Sequence, residues 1–370
     1  MADFKYKKAA AQIRELITNG TYRVGQRIPT EVELCESLAI GRQTLRKAVS
    51  MLEEEGQLRR VQGSGTYVCG QEEAPAAEAA AFPVIHSTTI TLLMMNSNSY
   101  IFLSIMQGIS EELGRHGYLL NTMMTDGDYE QERMILKNLL ANPPAALIVE
   151  PTHAGNLSVN RDLYKEVFCQ IPCVLIHADA MEGAPALQLR DREGVKKAAD
   201  YLISLGHRRL GSIFVFDEMT GQNRYRGYLD ALSEHKIRHE GMDSIWLESN
   251  KKTDIFEEKG SLALDRMLEN VTAVLCHDDR VAGHLVWYLK RKGIRVPEDI
   301  SVIGYDDSEY ARADLPLTTV THPQAEYGRR AAMAALDLIR TGGQADISVY
   351  SEEPQLVIRE STAEVKENQG

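Results

Sequence analysis

From residue 89 onward, short apolar runs alternate with amphipathic stretches of helix length. Few folds other than a layered α/β arrangement accommodate that pattern. Apolar runs fall at Ile90–Met95, Tyr118–Met123, Ala145–Val149, Cys173–His177, Leu210–Phe216, Ala273–Cys276 and Ile300–Ile303. Amphipathic stretches at 101–115, 128–141, 193–205, 222–235, 254–269 and 279–292 separate most of them. A strand that is apolar along its length is buried on both faces, so helices must cover both sides of parallel sheets. The pattern predicts two such blocks, about 89–178 and 182–303. A crossing segment, a helix over 324–340 and a late strand Gln355–Arg359 follow. Two doubly wound lobes joined by crossovers form a cleft at their strand ends, where small ligands bind.

The first 70 residues read differently. Tyr6, Ala10, Ile13, Leu16 and Ile17 give one helix an apolar face, and Asn19-Gly20 ends it. Pro29-Thr30-Glu31 is a helix start, with Thr30 as cap and Glu33 three positions on. Leu34 and Leu38 mark the stripe of a short helix, and Ala39-Ile40-Gly41 is a tight turn. A further helix runs from Arg42 to about Glu55, with Leu45, Val49 and Leu52 inward and Arg42, Gln43, Thr44, Arg46 and Lys47 outward; Gly56 ends it. Leu58–Val61 and Thr66–Val68 read as two short strands joined by Gln62-Gly63-Ser64-Gly65. Helix, turn, helix and hairpin make a winged helix-turn-helix. Arg42 and Arg46 lie one turn apart, the spacing for two arginines to reach guanine edges in a major groove. Thr44, Lys47, Lys5, Lys7 and Lys8 suit phosphates.

This segment resembles the GntR family of bacterial winged-helix repressors. PTEVEL, GRQTLRKAVSMLEEEG and VQGSGTYV match its three signature blocks. The resemblance implies that Glu31, Arg42, Thr44, Arg46, Gln62 and Gly63 sit at the DNA. Val32 stands where the family often has a basic residue, so one usual contact is missing. Charge agrees once the chain is divided. The whole chain carries −12, but residues 1–70 hold 11 Lys+Arg against 8 Asp+Glu, a balance of +3. The remainder holds 30 against 45, a balance of −15. Positive charge therefore sits with the DNA reader.

Later stretches sharpen the cleft. YLISLGHRRLGSI (201–213), GQNRYRGYLDAL (221–232), VLCHDDRVAG (274–283) and GIRVPEDISVIGYDDSEYARADLPLTTVTHP (293–323) resemble the LacI/GalR effector domain, which is similar in fold to periplasmic sugar-binding proteins. The combination, with SYIFLSIMQGI (99–109) and ALIVEPTHAG (146–155), resembles the arabinose-repressor type of transcription factor. That implies a small sugar effector, L-arabinose first, released operator on binding, and no cofactor. A sugar wants an aromatic over its ring and charged planar groups for its hydroxyls. Arg224 and Asp278 match the family's ligand-contacting arginine and aspartate; Asp278 is also placed as a plain helix cap. Tyr100 lies in the first strand–helix loop. Glu150, with His153, and His177, with Asp179, follow strand ends. Tyr305, Asp306 and Asp307 lie at a lobe crossover. Arg190 precedes Asp191 where the family usually has an acid, so a different sugar or a sugar phosphate stays open.

The expected architecture is α/β. It comprises a winged helix-turn-helix at 1–69, a linker at 70–88 and a two-lobed periplasmic-binding-protein-like effector and dimerisation domain with doubly wound parallel sheets at 89–362. Lobe one takes about 89–178 and 304–341, lobe two about 182–303 and 345–362, and 363–370 is a tail. The expected function is a sugar-responsive repressor, binding a palindromic operator as a homodimer or higher oligomer. Fusion to an enzyme-like domain is the rival reading. Catalytic residues and metal are expected to be absent: no nucleophile elbow, phosphate loop or metal cluster stands out. Five cysteines (35, 69, 169, 173 and 276) form no zinc-like pair of CxxC units, and Cys169 and Cys173 read as apolar filling. The charged start MADFKYKK is no signal peptide, and no apolar run nears the ~20 residues of a membrane span. A cytoplasmic location is expected.

Overall fold

The computed structural model describes residues 2–18, 21–22, 26, 28–38, 40–54, 57–61, 65–68, 87–95, 100–179, 181, 184–239, 241–257, 261–343 and 353–365. The chain divides into two compact units, Met1–Glu78 and Ala79–Gly370.

In the first unit α1 (Ala2–Thr18), α2 (Glu31–Ser37) and α3 (Arg42–Glu54) precede a hairpin of β1 (Leu58–Val61) and β2 (Gly65–Val68). The α2 start is a reciprocal capping box. The Thr30 N–H donates to Glu33 Oε2 at 2.7 Å, and the Glu33 N–H donates to Thr30 Oγ1 at 3.5 Å. The inward residues of α1 and α3, namely Ala9, Ala10, Ile13, Leu45, Ala48, Val49 and Leu52, close on Leu34, Leu58 and Val68. Residues 26 and 28 widen the wing: the Ile28 N–H donates to Thr66 O and the Val68 N–H donates to Gln26 O, both at 2.9 Å. The linker expected at 70–88 lies outside the described residues apart from 87–88.

The second unit holds two sheets. In the first lobe β3 (Thr89–Met94), β4 (Leu119–Met124), β5 (Ala146–Val149), β6 (Cys173–Ile176) and β7 (Ala186–Leu187) pair all in parallel, in the order β4-β3-β5-β6-β7. The strands alternate strictly. Ile90, Leu92, Ala146, Ile148, Val174 and Ile176 face α4 (Phe102–Arg115) and α11 (Gln324–Thr341). Leu93, Leu147, Val149, Cys173 and Leu175 face α5 (Tyr129–Ala141) and α6 (Arg161–Gln170). Period 2 with both sides apolar is how a doubly covered parallel strand must read. In the second lobe β8 (Leu210–Val215), β9 (Ser244–Leu247), β10 (Ala273–Cys276), β11 (Ser301–Asp306), β12 (Thr318–Thr321) and β13 (Leu356–Val357) follow the order β13-β12-β11-β10-β8-β9, with only β13 antiparallel. Its faces are covered by α7 (Asp191–Ser204) with α8 (Met219–Glu234), and by α9 (Leu262–Asn270) with α10 (Asp279–Arg291).

Three expectations need correction. Residues 304–321 belong to the second lobe, because β11 pairs with β10 and β12 with β11; the chain returns to the first lobe only at 322–323. Residues 186–187 belong to the first lobe as β7, because they pair with β6. The helix expected over 254–269 starts at Leu262, where Ser261 Oγ accepts from the Leu264 N–H; short 3-10 turns precede it. Of the cysteines, Cys173 and Cys276 are buried filling, whereas Cys169 is exposed on α6.

The helix that closes the first lobe is packed through glycine. A Cβ on Gly328 would lie 2.1 Å from Ile105 O, and one on Gly108 would lie 2.0 Å from Ala325 O. Helices α4 and α11 therefore touch backbone to backbone, and neither glycine tolerates a methyl group unless the helices part. Gly328→Ala is expected to cost about 1–3 kcal/mol, lowering the unfolding midpoint by about 2–4 °C for each kcal/mol. A calorimetric midpoint equal to that of the parent would contradict this packing.

Candidate functional site

In the first unit Arg42, Gln43, Arg46 and Lys47 are exposed on α3 and Thr44 is half-buried, while Leu45, Ala48, Val49 and Leu52 hold the other side in the core. One polar face of a helix anchored by its apolar face is the geometry of a groove-reading element. Lys5 lies on α1, with exposed Lys7 and Lys8, and Glu31 opens α2; the side chains of Lys5 and Glu31 are not described. Gln62 and Gly63 lie outside the described residues.

In the second unit the two lobes enclose a cleft of about 490 Å³ at the carboxyl ends of their strands. That is within the range of small-ligand sites. The first lobe supplies Met94, Met95, Tyr100, Asp126, Glu150 and His177; the second supplies Glu218, Arg224, Ser249, Asn250, Lys252, His277, Asp278, Arg280 and Asp306. His322 enters from the crossover after β12.

Arg224 is the hub of the second lobe's wall. Its guanidinium lies 3.7 Å from the Tyr305 ring centroid. Its Nε donates to Asp191 Oδ1 at 2.8 Å, Nη1 donates to the His277 carbonyl, and Nη2 is 3.7 Å from Asp306 Oδ1. Burial works against this charge, but Asp191 and Asp306 outweigh it and hold the guanidinium above its ordinary value. Asp306 is pushed well above the usual carboxylate range by burial, with Arg224 pulling the other way. The Tyr100 hydroxyl donates to Asp306 Oδ2 from the opposite lobe. A second ionic group faces it. Lys252 Nζ lies 2.8 Å from Glu218 Oε1 and 3.7 Å from Asp278 Oδ2, and His277 Nε2 is 3.0 Å from Glu218 Oε2. Burial opposes ionisation of Glu218, yet Lys252 and His277 hold it well below its usual value. Asp278 stands at the edge of both groups. It caps α10, Oδ1 accepting from the Val281 N–H at 2.7 Å, and it lines the cleft.

Among the described residues, five buried polar atoms on side chains that line the cleft make no hydrogen bond: His177 Nε2, His277 Nδ1, Asp306 Oδ1 and both ring nitrogens of His322. A buried polar group without a partner costs about 1–3 kcal/mol.

Of the effector residues expected from sequence, Tyr100, Glu150, His177, Arg224, Asp278 and Asp306 line the cleft. Asp179 does not. The backbone turns at His177 with φ +51, and Asp179 leaves the cleft to accept from Gln188 Nε2 at 2.8 Å. Tyr305 does not either; it is buried on the α7/α8 face, beneath Arg224. Arg190 pairs with Glu193 and borders a separate cavity of about 100 Å³. Asp307 is held by Arg359 and by Arg312. Sequence reasoning missed Glu218, Lys252, His277 and His322. The rule that ligand groups follow strand ends reaches His277 directly; Lys252 follows β9, a strand the apolar pattern does not reveal.

The fold and the cleft define a class: a DNA-binding winged helix joined to a two-lobed ligand-binding domain. Residues 5–68 match the description "Bacterial regulatory proteins, gntR family", and residues 199–362 match "Periplasmic binding protein-like domain". The chain is 32% identical to the arabinose metabolism transcriptional repressor of Geobacillus stearothermophilus over 98% of both chains. It is also 32% identical to the protein of that name from Halalkalibacterium halodurans, over 99% of this chain and 98% of the other. Among solved structures, a LacI family transcriptional regulator from Mycobacterium smegmatis is similar in fold, with a TM-score of 0.65 at 22% identity, covering 75% of this chain and 100% of that one. The chain belongs to the family of arabinose-repressor-type transcription factors, GntR-type winged helices fused to a LacI/GalR-type effector domain. It is a sugar-responsive transcriptional repressor with DNA and a small sugar as partners, and not an enzyme.

The cleft histidines have a thermodynamic signature. Burial holds His322 well below the ordinary imidazole value of 6.5, with His177 and Arg224 adding to it; burial and Lys252 lower His277. As pH drops through about 6.5 these two imidazoles contribute a loss of stability, while the raised carboxyls of Asp306 and Asp279 contribute in the opposite sense. In denaturant titrations at pH 7.5 and 6.0, the change in stability on acidification is expected to be less unfavourable in His322→Gln than in the parent. An equal change in the variant would remove His322 as a source.

Proposed function

We propose that the repressor binds a palindromic operator as a homodimer and is released when L-arabinose enters the cleft. The observation that carries the effector reading is the polar lining of the cleft, where acidic side chains stand beside imidazoles. A neutral polyol both donates and accepts at every hydroxyl, so one small molecule can satisfy imidazole nitrogens and a carboxylate oxygen together. The charge balance favours a neutral sugar over a sugar phosphate. Among the described residues five acidic side chains line the cleft (Asp126, Glu150, Glu218, Asp278 and the raised Asp306) against three cations, and both Arg224 and Lys252 are already paired with carboxylates. The choice of L-arabinose rests on the two relatives named for arabinose metabolism.

In this mechanism each α3 enters a major groove. Arg42 and Arg46 reach for base edges, and Lys5, Glu31, Gln43, Thr44, Lys47, Gln62 and Gly63 are the further DNA-facing positions. Two-fold protein symmetry imposes a two-fold operator. Sugar shifts the arrangement of the lobes, and the segment 70–88 passes that change to the winged helices. A coupling of about 1–3 kcal/mol is typical, and it is reciprocal between the two ligands.

Two measurements test the two halves. Thermal unfolding against pentoses, hexoses and sugar phosphates is expected to give its largest upward shift with L-arabinose, since any ligand of the native state raises the midpoint. Asp278→Asn is expected to weaken that ligand about tenfold, roughly 1.4 kcal/mol, without loss of stability, because Asn caps a helix as well as Asp. No shift with any sugar would sink the effector assignment. Arg42→Ala and Arg46→Ala are each expected to cost about 1–3 kcal/mol of sequence preference in operator titrations, with sugar affinity unchanged. Retained operator preference in both would displace α3 as the reading element.

A further inference from the structure

The two lobes are joined beside the cleft by a second set of contacts, made by residues that are not themselves part of its lining. On the first lobe the loop after β5 carries His153 and Gly155; on the second, the segment after β8 carries Asp217 and Gln222. His153 Nδ1 lies 2.6 Å from Asp217 Oδ2. The Gly155 N–H donates to Asp217 O at 3.0 Å, and Gln222 Nε2 donates back to Gly155 O at 2.6 Å. Every one of these bonds crosses from lobe to lobe.

Both sides are built for the purpose. The other nitrogen of His153, Nε2, lies 3.0 Å from Gly127 O, next to the cleft residue Asp126. Asp217 is 3% exposed and also accepts from the Ser249 N–H at 2.9 Å and from Ser249 Oγ at 2.7 Å. Ser249 lines the cleft. Gly155 has no room for a side chain: a Cβ would lie 2.8 Å from Phe216 O and 2.8 Å from Asp217 C. His153 adopts φ +49, a conformation that L residues seldom take without cause. Its loop is fixed from behind by fully buried Glu132, which accepts from the Thr152 N–H at 2.7 Å, from Asn160 Nδ2 at 2.8 Å and from the Tyr164 hydroxyl at 2.7 Å.

We propose that His153, Gly155, Asp217 and Gln222 form a latch that holds the lobes closed independently of the effector. The latch acts on the cleft through Gly127 on one side and Ser249 on the other, so effector affinity depends on residues that never touch the sugar. A ligand that needs the closed form has an apparent Kd equal to its intrinsic Kd divided by the fraction of molecules that are closed. His153, Gly155, Asp217 and Gln222 lie outside the cleft lining, so their substitution changes closure without removing a ligand contact.

The test is amide hydrogen exchange on the full chain without sugar, followed by L-arabinose titration. In His153→Ala the Gly155 amide is expected to exchange at least tenfold faster, while the buried amides of β5 and β10 keep their protection. Gln222→Ala serves as the second variant, since it removes a bond from the other lobe and leaves the loop anchored by Glu132 intact. Its Gly155 amide is expected to speed up in the same way. L-arabinose Kd is expected to rise about three- to tenfold in both, through faster dissociation. The affinity arm rests on the effector reading above, but the exchange arm does not. Unchanged Gly155 exchange in both variants overturns the latch whatever the sugar does. Faster exchange in a chain whose parent ignores L-arabinose leaves the latch standing and removes that effector. Faster exchange with unaltered Kd in a chain that binds L-arabinose overturns the link between latch and affinity.

Discussion

The cleft depends on one buried cation. Arg224 projects from α8 into a place where water cannot solvate it, and only its neighbours make that tenable: a ring beneath, a carboxylate from α7, a second from the end of β11 and a carbonyl from the end of β10. Three separate elements besides α8 must be correctly placed before the charge is satisfied, so the same interaction that positions the site also ties the second lobe together. Removing one member of such a set leaves an uncompensated charge, which costs far more than the set contributes in net stability. Tyr100 extends the arrangement across the cleft by donating to Asp306, which brings the first lobe's leading loop under the same control.

The legible part of the fold was the part written in local period. Strands buried on both faces announce themselves as apolar runs, and β3, β5, β6, β8, β10 and β11 do so. What stayed hidden was short or polar: β7 is two residues, β12 is Thr-Thr-Val-Thr, and β9 carries half-exposed Trp246 on a sheet edge. Lobe membership was hidden for a different reason. Whether 301–321 pairs within one sheet or the other is decided by long-range partners, and both lobes have the same composition of strand. The two displaced site residues follow the same logic. Asp179 and Tyr305 sit close in sequence to true cleft residues, His177 and Asp306, but a single left-handed turn and a single step of strand alternation send them elsewhere.

Charge in the second unit is distributed with purpose. The negative balance of residues beyond 70 is concentrated partly in the cleft, where carboxylates stand beside buried imidazoles, and the cations there are consumed in holding them. Strong internal pairing of this kind leaves hydrogen-bonding capacity for hydroxyls while giving little to a doubly charged group.

The glycine-tight pairing of α4 with α11 has a consequence for how the molecule comes into being. The five described strands of the first lobe are synthesised by residue 187, yet α11, which shares with α4 the cover of one face of that sheet, begins at Gln324. At translation speeds of about 5–20 residues per second, the intervening second lobe occupies the ribosome for on the order of ten seconds. Throughout that interval Ile90, Leu92, Ile148, Val174 and Ile176 lack part of their cover. The first lobe to emerge is therefore among the last parts to finish. A nascent chain interrupted anywhere within the second lobe yields no completed lobe at all, but an open sheet with its apolar side facing water.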